Sequence, residues 1–296
     1  MNVTEYFDKH QLKYVNNFST ALLSSIKAGG CARYIVYPDS AEKIISAVEI
    51  CELFSLKYKV IGGCTNTFFS DAGFDGVIIS TKYFKNIEFL ESSIVVEAGT
   101  SLSKMLNASC ERGVDISAQL FGIPGSVGGA VRNNAGAFGA SISDTFSYGR
   151  FYDTDSKKIF KLDSNDMMFS YRNSVLQNNS LIMLKGVFKC IARESAEIKS
   201  LFNVSVQKRR ASQPRESSLG SFFKRCGDVI PSRLIDEARL KGMRVGGAEV
   251  SRKHAGFIIN SNKATASDIN ELAKQIEKIV FERYGVSLIR EAEFVE

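Results

Sequence analysis

Apolar positions recur along the chain with two periods, one typical of helices and one typical of strands. The clearest helical pattern follows Thr265, which has Asp268 three residues later and therefore the composition of a capping box. The apolar face of this predicted helix consists of Ile269, Leu272, Ile276, Ile279 and Val280. A face of this width predicts a long helix packed against a core.

Shorter patterns predict the other elements. Asp39, followed three residues later by Glu42, has the composition of a capping-box variant and predicts a helix that runs to about residue 54. Further helices are predicted at 101–112, 194–210 and 231–240. Strands are predicted at 34–37, 58–61, 77–80, 93–98, 181–190, 221–224, 243–250 and 256–260, in a hairpin of 149–153 with 159–162, and in a last strand. The polar stretch 211–219 breaks the periodicity, which predicts a linker near a domain boundary.

Composition places the chain among ordinary globular proteins. Its 296 residues are 44% hydrophobic and 24% charged, enough to bury a large core. The net charge of +6 is spread along the chain, which argues against a nucleic-acid partner and suits a phosphorylated small molecule. No apolar run approaches the roughly 18 residues of a membrane span, so we expect a cytoplasmic protein without one.

Histidine and cysteine usage narrows the possible chemistry. Only His10 and His254 are present, so a multi-histidine metal site is excluded and no metal is expected. The six cysteines include no Cys-x-x-Cys pair, which argues against a zinc knuckle and a disulfide framework. A serine hydrolase is disfavoured because Ser126 lacks a nucleophile-elbow context.

Two glycine-rich loops offer backbone N–H groups that a pyrophosphate can approach closely. The first, Gly62-Gly-Cys-Thr-Asn66, follows a predicted strand, and the second is Gly122-Ile-Pro-Gly-Ser-Val-Gly-Gly-Ala130. Neither matches Gly-x-Gly-x-x-Gly, so the ordinary dinucleotide fingerprint is absent. Alone, each loop is as typical of a tight turn as of a nucleotide site.

Together with later motifs, the loops resemble the UDP-N-acetylenolpyruvoylglucosamine reductase family. The matching motifs, in family order, are Lys27-Ala-Gly-Gly30, the Gly62 loop, Gly76-Val-Ile78, residues 122–136, Ser170-Tyr-Arg172, Gly220-Ser-Phe-Phe-Lys224, Leu240-Lys-Gly242, Gly246-Gly-Ala-Glu-Val250, Lys253-His-Ala255 and the C-terminal strand. The short distance between Arg172 and Ser221 is similar to the second subclass of the family.

The resemblance implies an α+β fold that binds FAD non-covalently, similar to vanillyl-alcohol oxidase, with NADPH as reductant and UDP-N-acetylglucosamine enolpyruvate as substrate. It implies two FAD-binding subdomains, 1–80 and 81–205, and a C-terminal α+β substrate-binding domain, 206–296, in a monomer. The implied cofactor-binding residues are Gly62, Gly63, Cys64, Thr65, Asn66, Thr67, Gly122, Ile123, Pro124, Gly125, Ser126, Gly128, Gly129 and Ala130.

The resemblance also implies three catalytic residues. Ser221 is expected to donate a proton to an enolate, and Arg172 is expected to stabilise that enolate. Glu291 and Glu293 both lie in the predicted last strand, where alternation puts them on one face. The family pattern aligns Glu291 with the catalytic position and puts Glu293 where the family has an arginine.

Tyr171, Lys224 and Arg225 are the implied substrate-binding residues. Arg225 and Cys226 replace the family's Asn-Pro, and Arg225 either contacts a substrate phosphate or faces water. Lys208-Arg-Arg210 is typical of a solvated helix end, with contact to the UDP diphosphate as the alternative, and His254 is interpreted as structural.

Two other functions stay open from the residues. One is an oxidase or dehydrogenase of the same flavin fold acting on another substrate, which needs no enolate protonation. The other is a catalytically silent flavin-binding regulator, which would have no use for Arg172, Ser221 and Glu291 together.

Overall fold

The computed structural model describes residues 2–177 and 180–296, which divide into two compact units. The first unit consists of Met1–Val15, Tyr34–Gly63 and Gly76–Arg209. The second unit consists of Asn16–Arg33, Cys64–Asp75 and Arg210–Glu296. The chain thus passes between the units several times, and the three domains predicted as continuous segments stay a prediction.

The described residues mix helices and strands. The α-helices are α1 (Val3–Lys9), α2 (Ala41–Leu53), α3 (Leu102–Glu111), α4 (Val127–Arg132), α5 (Ser195–Ser212), α6 (Pro231–Glu237) and α7 (Ala266–Tyr284). Single 3₁₀ turns lie at Thr20–Leu22, Thr81–Tyr83, Ala118–Leu120, Ile142–Asp144 and Val175–Gln177. None of the helices in this part of the chain is both long enough and apolar enough to cross a bilayer.

The strands, in chain order, are β1 (Lys13–Ser19), β2 (Cys31–Tyr37), β3 (Lys57–Ile61), β4 (Thr67–Phe69), β5 (Phe74–Ser80), β6 (Ile87–Phe89), β7 (Ser93–Glu97), β8 (Val114–Asp115), β9 (Gly136–Ala137), β10 (Ala140–Ser141), β11 (Phe146–Asp153), β12 (Lys158–Asp163), β13 (Leu181–Lys189), β14 (Ile191–Ala192), β15 (Ser217–Ser221), β16 (Phe223–Lys224), β17 (Arg244–Val245), β18 (Ala248–Val250), β19 (Phe257–Asn260), β20 (Ile289–Arg290) and β21 (Glu293–Val295). The predicted α+β fold is confirmed, and most predicted elements lie within a residue or two of their observed positions.

A five-stranded antiparallel sheet, ordered β12-β11-β13-β7-β6, dominates the first unit. The predicted hairpin of β11 with β12 is confirmed. Helices α3 and α4 pack their apolar side chains against this sheet in one core with Ile94, Val96, Leu102, Val127 and Phe188. A second sheet, ordered β1-β2-β5-β3, carries the parallel pair β3 and β5 and leads into the Gly62 loop.

The second unit is built around α7 and a four-stranded sheet ordered β15-β19-β18-β17. The predicted capping box is confirmed, because the Thr265 side chain accepts the amide of Asp268 and Asp268 accepts that of Thr265. The predicted apolar face is buried against Phe222, Val250 and Ile258, and Gly285 ends the helix in the left-handed conformation.

Five predictions about these elements are wrong in detail. Helix α2 is capped by Ser40, whose side chain accepts the amide of Lys43, whereas Asp39 forms an ion pair with the Lys43 side chain at 2.9 Å. The predicted linker is largely structured, since α5 extends to Ser212 and β15 begins at Ser217.

The predicted strand 243–250 is instead the hairpin β17–β18, and the predicted strand 221–224 is broken between β15 and β16. Gly246 at φ +51° supplies the left-handed turn of that hairpin. The predicted last strand is also broken. Strand β20 pairs antiparallel with β16, whereas β21 pairs parallel with β4, and Glu291 lies between them.

Candidate active site

The two glycine loops lie against each other in the first unit. A Cβ atom on Gly62 would lie 1.9 Å from the Ser126 Oγ atom, and one on Gly63 would lie 2.7 Å from the Gly125 Cα atom. A side chain at Gly63 would therefore meet backbone, and one at Gly62 would meet the Ser126 side chain. Two segments distant in sequence approach closely here because both positions are glycine. Such a bare backbone cradle fits the pyrophosphate of a dinucleotide.

Ser126 joins the second loop to helix α4. Its side chain accepts the amide of Gly129 at 3.2 Å and so caps the helix. Gly128 lies against Ala98, with 3.0 Å between its ideal Cβ position and the Ala98 Cβ atom. Gly122 takes φ +87° and is exposed, which leaves its backbone accessible at the turn.

Cys64, Thr65, Asn66 and Thr67 continue the first loop into the second unit. The buried Cys64 has φ +49°, and its thiol donates a hydrogen bond to the Thr67 carbonyl at 3.3 Å. The Asn66 side-chain amide donates to the Glu291 carbonyl at 2.8 Å. These predicted cofactor residues therefore also hold the C-terminal segment in place.

Arg172 occupies a tight turn of the first unit. Its φ of +53° is uncommon for a residue with a side chain, and the amides of Ser170 and Asn173 each donate to the other's carbonyl across the turn. The Arg172 guanidinium donates to the Gly136 carbonyl at 2.9 Å and lies 5.1 Å from the centre of the Tyr171 ring. Tyr171 is 55% exposed, so the pair reaches the surface together.

The Asn134 side chain holds this turn in place. It is buried, and its side-chain amide donates to the Ser170 carbonyl at 3.0 Å. Its own side-chain oxygen accepts the Ser143 amide at 3.3 Å, and Gln177 donates to the Arg172 carbonyl at 2.8 Å. A backbone held from both sides in a strained conformation is typical of a functional position.

Ser221 ends strand β15 of the second unit at a bulge. The register shifts between Ser218 and Ser221 opposite β19, and Gly220 takes φ +77° with open space on its Cβ side. Ser221 itself is exposed, whereas the next residue, Phe222, is fully buried. The bulge therefore leaves Ser221 exposed, whereas the buried Phe222 side chain anchors the strand next to it.

Glu291 lies next to this strand end. Its amide donates to the Phe222 carbonyl at 2.8 Å, one residue beyond Ser221. Glu293 belongs to β21, and its carboxylate accepts the Thr67 hydroxyl at 3.3 Å. The structure thus places the Glu291 backbone against the residue that follows Ser221. The break of the strand removes the predicted common face of the two glutamates.

The remaining predicted residues separate into two groups. Lys224 is half-buried in β16, opposite Ile289 of β20. Arg225 follows it and is exposed. Arg172 and Tyr171 belong to the first unit, whereas Ser221, Glu291, Lys224 and Arg225 belong to the second.

His254 is half-buried in the second unit, consistent with its structural interpretation. Its Nδ1 atom accepts the Gly256 amide at 3.1 Å, and its ring packs on Phe257. Burial lowers the pKa of His254 from its ordinary value, which favours the neutral ring.

Arg209 differs from its neighbours in Lys208-Arg-Arg210, a run whose composition is typical of a solvated helix end, with contact to the UDP diphosphate as the alternative. Its Nε atom donates to the Phe121 carbonyl at 3.3 Å, beside the Gly122 turn. Ile198, Phe202 and Ser205 form the buried face of α5, and Arg209 follows Ser205 by four residues on the same face. That helical spacing was the signal that separates Arg209 from its neighbours.

Comparison with protein-family models gives two matches. A model described as the C-terminal domain of UDP-N-acetylenolpyruvoylglucosamine reductase matches residues 213–295. A model described as an FAD binding domain matches residues 32–158, a range that includes the two glycine loops.

Curated relatives match nearly the whole chain. UDP-N-acetylenolpyruvoylglucosamine reductase of Caldicellulosiruptor saccharolyticus is 38% identical over 291 residues, covering 97% of this chain and 94% of the relative. The reductase of Clostridium novyi is 35% identical over 289 residues, covering 97% and 93%.

Solved structures are also similar to this chain. The crystal structure of the reductase from Thermus caldophilus has a TM-score of 0.82 and 28% identity, covering 96% of this chain and 99% of the other. BBE-like 1 of Physcomitrella patens, with a TM-score of 0.52 and 17% identity over 64% of this chain and 44% of its own, shares the fold.

Proposed function

Because the chain belongs to the family of UDP-N-acetylenolpyruvoylglucosamine reductases, we propose that Arg172, Ser221 and Glu291 carry the family's reaction in it. The chain is an FAD-containing oxidoreductase that reduces UDP-N-acetylglucosamine enolpyruvate to UDP-N-acetylmuramate with NADPH, a step in peptidoglycan precursor synthesis. A monomer stays a prediction, which light scattering of the 32.6 kDa chain tests.

The two glycine loops are the proposed holders of the FAD pyrophosphate. They fit it because Gly62 and Gly63 meet Gly125 and Ser126 with no room for side chains, leaving a polar backbone surface. Bound FAD supplies the two-electron transfer between NADPH and the substrate. The Cys64 thiol already donates to a backbone carbonyl, which favours a non-covalent cofactor.

Arg172 is the proposed stabiliser of the charge that develops on the substrate. When the methylene carbon of the enolpyruvyl group accepts a hydride, negative charge develops on the carboxylate-bearing carbon and its carboxylate. A permanently charged guanidinium, fixed in advance by the Gly136 carbonyl, stabilises this charge without rearranging. The strained turn at Arg172 keeps that geometry.

Ser221 is the proposed proton donor. Its exposed hydroxyl would donate a proton to the carboxylate-bearing carbon, which completes the saturated lactyl ether, and would recover a proton afterwards. A hydroxyl is a weak acid, so its position must supply what its acidity lacks. Glu291, held against the Phe222 carbonyl, is the proposed partner in proton delivery.

The backbone hydrogen bond that places Glu291 beside the Ser221 strand end is the observation that supports this assignment best. Purified holoenzyme should lose its visible flavin absorbance on anaerobic addition of NADPH and regain it on addition of the UDP-linked substrate. Recovery with oxygen but not with that substrate would favour an oxidase of the same fold. No response to NADPH would favour a silent flavin-binding protein.

A further inference from the structure

Arg209 is a half-buried cation, and one of its buried nitrogen atoms has an unmet requirement for an acceptor. Its Nη2 atom is buried and has no hydrogen-bond partner among the described residues. A guanidinium carries five N–H donors, and burying one without an acceptor costs free energy. A feature of this kind calls for a physical reason.

The surroundings of Arg209 hold its guanidinium firmly. Its Cδ atom lies 3.1 Å from the ideal Cβ position of Gly122, so a side chain at that turn would crowd Arg209. The Nε atom donates to the Phe121 carbonyl at 3.3 Å. The Phe138 ring lies 5.1 Å from the guanidinium carbon, a distance typical of a cation–π contact.

The guanidinium of Arg172 increases the free-energy cost of burying part of the charged Arg209 side chain. Burial and then the positive charge of Arg172 lower the pKa of Arg209 from its ordinary value, although a guanidinium remains charged. The two guanidinium groups lie against the same short segment, because Arg172 donates to the Gly136 carbonyl at 2.9 Å and Arg209 lies over the Phe138 ring. Like charges repel each other, and the neutral Phe121 carbonyl does not offset the charge of Arg209. An anion next to both guanidinium groups would remove the repulsion and satisfy the buried N–H donor.

We propose that Arg209 and Arg172 form a paired-guanidinium subsite for one oxyanion of the UDP-linked substrate, either its enolpyruvyl carboxylate or its diphosphate. This role rests on the proposed function, which places the charge-bearing carbon of the substrate beside Arg172. Arg209 contributes binding, and Phe138 and Gly122 position it. Both oxyanions present paired oxygens that match the planar fork of a guanidinium.

Equilibrium binding to the oxidised holoenzyme tests the subsite without turnover. Arg209→Met removes the charge at similar length, and it should weaken binding of UDP-N-acetylglucosamine enolpyruvate, followed by flavin absorbance, by about 10- to 100-fold. Arg209→Lys keeps the charge and should lose less. Arg210→Met is the matched control, because Arg210 is the exposed neighbour on the same helix, and it should change binding less than about 2-fold.

UDP-N-acetylglucosamine, which has the diphosphate but no carboxylate, separates the two sources. An equal loss for both ligands in Arg209→Met assigns the diphosphate, and a loss for the enolpyruvyl ligand alone assigns the carboxylate. Unchanged affinity for both ligands overturns the inference and leaves the proposed function standing.

The affinity of the apoprotein for FAD supplies a readout besides ligand binding. It should stay within about 2-fold of wild type in Arg209→Met, and a parallel loss of FAD affinity would overturn the inference by making Arg209 a cofactor contact. Wild-type holoenzyme that fails to bind either UDP-linked ligand refutes the proposed function and this subsite together.

Discussion

Replacing Gly63 with alanine should weaken FAD binding by roughly 10- to 100-fold, because the new methyl group separates the two glycine loops. Its Cβ atom would lie 2.7 Å from Gly125 Cα, 3.2 Å from Gly125 C and 3.3 Å from Ser126 N. All three are backbone atoms, so no side-chain rotation relieves the contact. The loops must open by at least about 0.7 Å, and overpacking of this kind costs about 1–3 kcal/mol.

Gly62→Ala provides a matched comparison, because its clash is with a side chain. The new Cβ atom would lie 1.9 Å from the Ser126 Oγ atom and 2.9 Å from the Ser126 Cβ atom. Ser126→Gly removes both atoms, at the cost of a few tenths of a kcal/mol for the lost helix cap. The double variant Gly62→Ala/Ser126→Gly should therefore recover most FAD affinity, whereas Ser126→Gly should not rescue Gly63→Ala.

The assay is titration of each apoprotein with FAD, followed by quenching of flavin fluorescence, with thermal melting of the same apoproteins alongside. Gly63→Ala apoprotein should melt near wild type if the loops can open without cofactor. Wild-type FAD affinity in Gly63→Ala, or equal rescue of both glycine variants by Ser126→Gly, would refute the cradle formed by these loops.

Three further predictions concern the second unit. Ser221→Ala should leave flavin reduction by NADPH nearly intact and slow flavin reoxidation by substrate about 10²- to 10⁴-fold, the usual contribution of a positioned proton donor. Equal slowing of both half-reactions in stopped-flow measurements would mean that Ser221 only shapes the pocket. Glu291→Gln should slow the substrate half-reaction by roughly 10²-fold or more. Glu293→Gln alters the carboxylate that accepts the Thr67 hydroxyl and should retain most activity. A larger loss in Glu293→Gln contradicts the assignment. Because burial holds the pKa of folded His254 below its unfolded value of about 6.5, the unfolded state binds more protons as pH falls through that value, so stability falls with it. Melting temperatures of wild type and His254→Gln should therefore diverge between pH 7 and pH 5, with the variant losing less, and parallel curves would show that another group is responsible.

The elements that sequence predicted well are those whose signals are local. Helix α7 begins at Thr265 because the capping box and the apolar face both lie within the helix itself. The hairpin β17–β18, which was predicted as one strand, has a local signal too. The Gly246-Gly247 pair between Val245 and Ala248 is typical of a two-residue hairpin turn and would have identified it.

The site could be predicted only as far as motifs carry it. The place of Glu291 depends on the Phe222 carbonyl and the Asn66 side chain, and these partners are distant in sequence. No periodicity reveals a strand that breaks in order to change partners between β16 and β4. The motif alignment named Glu291, whereas the predicted continuous strand put Glu291 and Glu293 on one face and could not separate them.

Arg209 is the opposite case, because the sequence contains its helical spacing but does not state why a charged residue lies on that face. Its spacing from Ser205 put it on the buried face of α5, where a charged residue contradicts the apolar periodicity. A contradiction between residue type and face is a typical sign of a functional residue. Its particular neighbours, Phe121 and Phe138, follow only from the tertiary structure.

The pairing of β21 with β4 has a consequence for the order in which the chain can acquire its structure. Thr67 bonds a residue 226 positions later, so at about 5–20 residues per second a ribosome needs roughly 10–45 s to supply that partner. During this time Phe68, fully buried in the folded unit, lacks the Phe294 ring that packs on it at 4.9 Å. The nascent second unit therefore exposes apolar surface until Phe294 has been synthesised, and chaperone demand in cells should track translation speed across the intervening segment.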